Sequence, residues 1–359
     1  MSKFLAKRFA SLDAYVPGEQ PSDMEYIKLN TNESPFPPPK AFASVVKNEL
    51  EKLNLYPNPD GSRLINKLAA HYEVKPENVI IGNGSDELLA FAFHAFFEAG
   101  VVFPDITYGF YPVYAKLYDV QYQEIPVLDD MTIDIKDYTA ICKNVVIANP
   151  NAPTGIALEL SDIEKVAQSN PDNIIVIDEA YVDFGADSAA QLTKNNDNLL
   201  VIHTYSKSRS MAGARLGYAI ASAPVIEDMN KMKYSFNPYN VNRLAQVMGE
   251  AAIDEERYFI NKRHEIIKTR EFTKKRLLDM GFSMTDSRAN FLFGKHPDIG
   301  GFELYKKLKD KGILIRQWNK PRISDYVRIT IGTKKQMQML LNAVEKIVSV
   351  NASVREKLN

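Results

Sequence analysis

Five short apolar runs, each breaking off into a polar turn, constrain this chain more than any other feature. Val79-Ile80-Ile81 leads into Gly82-Asn83-Gly84-Ser85-Asp86-Glu87, and Val101-Val102-Phe103 into Pro104-Asp105-Ile106-Thr107-Tyr108. Val145-Val146-Ile147-Ala148 leads into Asn149-Pro150-Asn151-Ala152-Pro153-Thr154-Gly155. Ile174-Ile175-Val176-Ile177 ends in Asp178, and Leu199-Leu200-Val201-Ile202 in His203-Thr204-Tyr205-Ser206-Lys207. Continuous apolar runs of this length suit strands covered on both faces, as in a largely parallel sheet. Open sheets of that kind bind ligands beyond the carboxyl ends of their strands. The polar residues after the five runs are therefore predicted to converge on one crevice.

Helical patterns separate the runs, at 87–97 and at 161–168. Ser161-Asp162-Ile163-Glu164 has capping-box spacing. After about residue 240 the character changes. A long basic helical stretch is predicted over 241–280, then strand-like runs at Phe291-Leu292-Phe293, Ile313-Leu314-Ile315 and Val327-Arg328-Ile329-Thr330-Ile331. A last helix carries Met337, Leu340, Leu341, Val344, Ile347 and Val348 on one face. The reading is an α/β protein with two units. Residues 31–245 form a large unit with a mostly parallel sheet flanked by helices. Residues 1–30 and 246–359 form a smaller α+β unit.

A chain of 359 residues can bury a core without covalent staples. Its net charge of −1 argues against nucleic acid or an anionic membrane as the main partner. The single cysteine, Cys142, allows no internal disulfide, which suits the cytoplasm. The N-terminus lacks the uninterrupted apolar stretch of a secretion signal, and no run is long enough to cross a bilayer. The five histidines have no metal-ligand spacing, so no metal is expected.

Lys207 would ordinarily be a surface residue, one of 44 lysines and arginines. Its context reverses that reading. It follows a buried strand, among hydroxyl residues, shortly before Arg215-Leu216-Gly217. Desolvation there would free its amine to condense with an aldehyde. Asp178 is either a strand-end cap or a carboxylate that keeps a pyridine nitrogen protonated. Tyr181 and Asn151 could reach the phenolic oxygen of the same ring, and Tyr108 could stack on its face or simply pack in the core. The Gly82-Asn83-Gly84-Ser85-Asp86 turn enters a helix, where exposed N–H groups favour a phosphate. Thr204, Ser206 and Arg215 would complete that cup. Lysine, ring carboxylate and phosphate cup together are what a protein needs to hold pyridoxal 5'-phosphate. Arg316 and Arg328 interrupt apolar runs, and serve either as outward-facing strand residues or as a clamp on an anionic substrate.

These residues carry a resemblance. The chain resembles the histidinol-phosphate aminotransferases, within the fold type I pyridoxal-phosphate enzymes, from about Tyr15 to Thr333. The anchors are Asn30-Thr31-Asn32-Glu33-Ser34-Pro35, Tyr56-Pro57-Asn58-Pro59, Gly82-Asn83-Gly84-Ser85-Asp86-Glu87, Tyr108-Gly109, Asn149-Pro150-Asn151-Ala152-Pro153-Thr154-Gly155, Asp178-Glu179-Ala180-Tyr181, Ser206-Lys207, Arg215-Leu216-Gly217 and Arg328-Ile329-Thr330-Ile331-Gly332-Thr333. The resemblance implies that Lys207 carries the cofactor and acts as general base, and that Ser85 and Asp86 meet its phosphate partly through backbone N–H groups. It implies that Tyr56 reaches the cofactor phosphate of a neighbouring subunit, hence a homodimer with shared sites. It places Tyr15 and Asn32 at the substrate entrance and Arg316 and Arg328 on the anionic substrate. Ala152 departs from the pattern, which commonly has a second Asn there.

The implied activity is transfer of an amino group from glutamate to imidazole-acetol phosphate, giving L-histidinol phosphate and 2-oxoglutarate. An aromatic amino acid aminotransferase and a threonine-phosphate decarboxylase share the scaffold and stay open at this point. A cofactor-sensing regulator would need an added DNA-binding domain, for which the residues before the first anchor leave no room.

Overall fold

The computed structural model describes residues 2–10 and 12–356. All five apolar runs form strands, joined by two more in a seven-stranded sheet. In chain order these are β1 (Val79–Gly82), β2 (Val101–Pro104), β3 (Tyr122–Ile125), β4 (Asn144–Ala148), β5 (Ile175–Asp178), β6 (Leu199–Thr204) and β7 (Gly217–Ile220). Their order across the sheet is β1-β7-β6-β5-β4-β2-β3. β7 is antiparallel to both its neighbours, so the other six strands point one way. Every residue of the five predicted strands is buried. Edge strand β3 shows three polar or exposed positions in four, which is why no apolar run announces it.

Successive side chains of each strand feed opposite layers. Val146, Val176, Leu200 and Ile202 pack beneath Leu88, Leu89, Ala92 and Phe93 of helix α1 (Ser85–Phe96). Val145, Ile147, Ile175, Ile177 and Val201 pack on Ile163, Val166 and Ala167 of helix α2 (Leu160–Ser169). The expected capping box at Ser161 does not form. Helix α2 starts one residue earlier, so its N-cap is Glu159, with no side-chain cap bond.

The basic stretch is two helices, α3 (Arg243–Asp254) and α4 (Glu256–Asp279), parted at Glu255. Asn242 caps α3 by accepting from the Ala245 N–H at 2.9 Å. Ala245 and Ala252 of α3 pack with Leu64, Leu68 and Leu216 of the large unit. A division between residues 245 and 246 would therefore cut a helix that packs as one piece. The start of α4 packs there too, through Tyr258 and Phe259.

The smaller unit has a four-stranded antiparallel sheet of β8 (Ser283–Met284), β9 (Phe291–Lys295), β10 (Arg316–Gln317) and β11 (Val327–Thr330), in the order β10-β11-β9-β8. The run expected as one strand at 313–315 splits. Ile313–Leu314 pairs in parallel with Ile27–Lys28, which ties the N-terminal segment to this unit. Helix α5 (Lys334–Glu356) covers the sheet with Met337, Leu340, Leu341, Val344 and Ile347, packed on Leu29, Leu292, Val327 and Ile329. Among the described residues no helix is long and apolar enough to cross a membrane.

Candidate active site

A cavity of about 730 Å³ opens where the parallel strands end and the two units meet. Ser85 and Asp86 follow β1, Thr107 and Tyr108 follow β2, and Ala152 follows β4. Asp178 ends β5, and Thr204, Ser206 and Lys207 end or follow β6. Arg316 and Arg328 enter from β10 and β11, and Tyr15 and Asn32 from the N-terminal segment. The convergence follows from direction: six parallel strands deliver their turns to one edge.

The Lys207 ammonium donates to the Thr31 carbonyl at 3.2 Å and lies 5.7 Å from the centre of the Tyr181 ring. The Tyr181 hydroxyl accepts from Asn32 Nδ2 at 2.9 Å. Asn32 is held in turn by Thr330, whose hydroxyl donates to Asn32 Oδ1 at 2.9 Å. Asn32 is buried and lines the cavity. Tyr15 also lines the cavity, its ring 4.6 Å from Phe110.

Asp178 is buried. Its carboxylate accepts from the Tyr111 hydroxyl at 3.0 Å and from the Ala180 N–H at 3.2 Å. Burial pushes its pKa up to about 6, against the pull of those two donors. The Lys207 charge pulls weakly the same way, but among the described residues no cation forms an ion pair with it. A buried carboxylate without a cation is costly, and this one faces the cavity. Sequence reasoning missed Tyr111. It lies three residues beyond Tyr108 in a run of aromatics, and nothing in that run marks the one whose hydroxyl meets a carboxylate.

The glycine-rich turn forms a cup. Gly217 opens β7 opposite both Gly82 and Thr204. A Cβ there would lie 2.6 Å from the Ser85 nitrogen, so only glycine admits the turn so close. Gly84 has φ of 81°, and a Cβ on it would meet the Arg215 guanidinium at 2.6 Å. Thr204 Oγ1 donates to Ser206 Oγ at 2.9 Å and accepts from the Ser206 N–H at 3.1 Å. The Asp86 carboxylate is already committed: it accepts from Arg215 Nη2 at 2.9 Å and from the Tyr108 hydroxyl at 2.9 Å. Asp86 thus fixes the cup, and Ser85 and Asp86, at the helix start where N–H groups lack intrahelical partners, line the cavity.

Two predicted residues are not brought in. Asn151 does not line the cavity. Its Nδ2 donates to the Ile106 carbonyl at 2.9 Å and to Thr154 Oγ1 at 3.1 Å, and its Oδ1 accepts from Thr107 at 2.8 Å. Those bonds tie the loop to the turn after β2. Tyr56 lies outside its own chain's cavity, 75% exposed and stacked on Tyr239 at 4.4 Å.

The model of the class I and II aminotransferases matches residues 24–344. The histidinol-phosphate aminotransferase of Brachyspira hyodysenteriae is 47% identical over 97% of this chain and 99% of its own length. That of a Marinomonas species is 48% identical over 97% of this chain and 100% of its own. The chain belongs to the histidinol-phosphate aminotransferase family. The solved histidinol-phosphate aminotransferase of Sinorhizobium meliloti, in complex with pyridoxal-5'-phosphate, shares the fold with a TM-score of 0.87 over 97% of this chain and 100% of that one, at 23% identity. Ala152 faces the cavity beside Pro153, at the point where Asn151 turns away.

Proposed function

We propose that the protein is a pyridoxal-phosphate-dependent aminotransferase that exchanges an amino group between glutamate and the phosphorylated keto compound imidazole-acetol phosphate, yielding L-histidinol phosphate. One observation carries the reading. A single cavity holds a lysine amine, a buried carboxylate and two arginines that form no ion pair among the described residues, and a glycine-lined cup suited to a phosphate.

Those residues fit the cofactor. The cup would take its phosphate on the Ser85 and Asp86 N–H groups, on Thr204 and Ser206, and on Arg215. Asp178 would hold the proton on the ring nitrogen, and that cation is the partner its buried carboxylate lacks. Tyr181 would donate to the ring oxygen, and Tyr108 would cover the ring face. Bound pyridoxal phosphate supplies an electrophilic aldehyde and a ring that accepts electrons. Lys207 Nζ would hold the aldehyde carbon and, once released by the incoming amine, carry the substrate's α-proton as general base. Asn32 would keep the Tyr181 hydroxyl oriented throughout. Arg316 and Arg328 would bind the substrate's phosphate or, in the other half-reaction, a glutamate carboxylate. A guanidinium fork serves both.

The exposed Tyr56 supports a homodimer in which that ring completes the neighbour's phosphate site. A cytoplasmic enzyme acting on small molecules is part of the same reading. The test is a half-reaction followed by absorbance with L-histidinol phosphate, L-phenylalanine and L-threonine phosphate in turn. Fast loss of the lysine-bound cofactor band with L-histidinol phosphate supports the proposal. An equal rate with phenylalanine, or carbon dioxide release from threonine phosphate, replaces it.

A further inference from the structure

We propose that Trp318, the only tryptophan of the chain, is the positioning residue that lets Arg316 and Arg328 act together as a dianion clamp. It thereby biases the enzyme toward a phosphate-bearing substrate. The inference rests on the functional reading above.

The argument begins with a like-charge pair. Arg316 of β10 and Arg328 of β11 sit directly opposite each other on antiparallel strands. Like charges in that register destabilise a sheet. The usual remedy is a nearby carboxylate, and among the described residues neither arginine forms an ion pair with one. Glu19, an acid near Arg316, is committed to Lys309 and Tyr305. Arg328 makes a single hydrogen bond, from Nη2 to the Asn30 carbonyl at 2.9 Å, and its buried Nε has no partner. Arg316 has only long contacts to the Pro17 and Val16 carbonyls, at 3.5 and 3.4 Å.

An aromatic face stands where the acid would. Trp318 lies two residues beyond Arg316, on the same side of an extended chain. The centre of its ring is 5.7 Å from the Arg316 guanidinium carbon and 5.3 Å from that of Arg328. Phe291 lies 5.3 Å from the Arg328 guanidinium as well. The ring is braced edge-on by Phe293, at 6.2 Å and 72°. Trp318 also lines the cavity.

An indole face attracts guanidinium ions through its quadrupole without carrying charge. It can steady two cations side by side yet compete with no incoming anion. A carboxylate in that place would neutralise the clamp. A phosphate dianion can span both forks, whereas a carboxylate fills one. Loss of the ring should therefore weaken phosphate binding more than carboxylate binding.

The experiment uses the cofactor-loaded enzyme, whose own phosphate cup is filled, and compares wild type with Trp318→Leu and Trp318→Tyr. Inorganic phosphate is the first probe. In wild type its binding should change the Trp318 fluorescence saturably and protect against L-histidinol phosphate turnover competitively. In Trp318→Leu the inhibition constant for phosphate and the KM for L-histidinol phosphate should rise roughly tenfold, the equivalent of ~1.4 kcal/mol. The KM for glutamate should rise less, and kcat should fall less than KM rises. Trp318→Tyr, which restores an aromatic face, should recover most of the phosphate affinity. Unchanged phosphate inhibition in Trp318→Leu would overturn the proposal. So would equal losses for both substrates with no recovery in Trp318→Tyr, which would mark a merely structural residue. If wild type fails to react with L-histidinol phosphate but binds phosphate through Trp318, the functional reading falls and the clamp stands.

Discussion

Replacing Asp178 with asparagine should stabilise the cofactor-free protein while abolishing its use of the cofactor. The Asp178 carboxyl is 4% exposed, and burial raises its pKa from an ordinary 3.8 to about 6. At ~1.4 kcal/mol per unit, the two-unit rise means that ionised Asp178 costs the fold about 3 kcal/mol. The sign follows from proton linkage. Below pH 4 the group is protonated in both folded and unfolded chains. Between about 4 and 6 the folded state holds the proton that the unfolded state has released, so stability falls as pH rises. Above 6 the cost is complete and constant. Asparagine carries no charge to desolvate. Its amide can meet both neighbours, with Oδ1 accepting from the Ala180 N–H and Nδ2 donating to the Tyr111 hydroxyl, which reverses its role. Urea denaturation of the cofactor-free proteins at pH 7.5 should show Asp178→Asn more stable by up to about 3 kcal/mol. The gap should close as pH falls toward 4. A variant no more stable than wild type at pH 7.5, or a gap that ignores pH, would refute the claim that the site stores an uncompensated carboxylate for the cofactor's cation.

Three further outcomes follow from the same geometry. Gly217→Ala places a methyl group 2.6 Å from the Ser85 nitrogen; it should cost ~1–3 kcal/mol of stability and weaken cofactor retention in dialysis, with urea melts separating the two effects. Arg328→Lys removes the fork that meets the substrate anion and should cost ~2–5 kcal/mol in kcat/KM; unchanged kcat/KM in both half-reactions would remove Arg328 from the clamp. Tyr111→Phe deletes the donor to Asp178 Oδ2 and should lower the stability of the cofactor-free protein by ~1.5–3 kcal/mol at pH 8. The loss should be smaller at pH 5, where Asp178 is protonated, as read from paired urea melts.

What was legible in the sequence shares one physical origin. The central strands are buried on both faces, so they read as unbroken apolar runs, and their turns had to carry the polar residues to one edge. That made Lys207, Asp178 and the glycine turn visible. Edge strand β3 exposes three successive residues to solvent, and β7 begins at Gly217 for steric reasons, so neither stood out. The direction of the Asn151 side chain was not legible, because sequence shows which residue is present but not which way it turns; its amide bonds Ile106, Thr107 and Thr154, and Ala152 lines the cavity. Tyr111 needed a contact between chain segments far apart, from helix to strand end, that no local pattern encodes. Trp318 did have a signal. It lies two residues from Arg316, and a period of two on an extended chain puts both side chains on one side.

The most direct test of the central claim is a single turnover of the purified, cofactor-loaded enzyme with L-histidinol phosphate, watched by absorbance beside Lys207→Ala. The account predicts a lysine-bound cofactor band in wild type that vanishes rapidly as the amino group is transferred, with 2-oxoglutarate restoring it, and no such band in Lys207→Ala. Failure of wild type to form the band with Lys207 intact, or a band that L-histidinol phosphate leaves untouched, would contradict it.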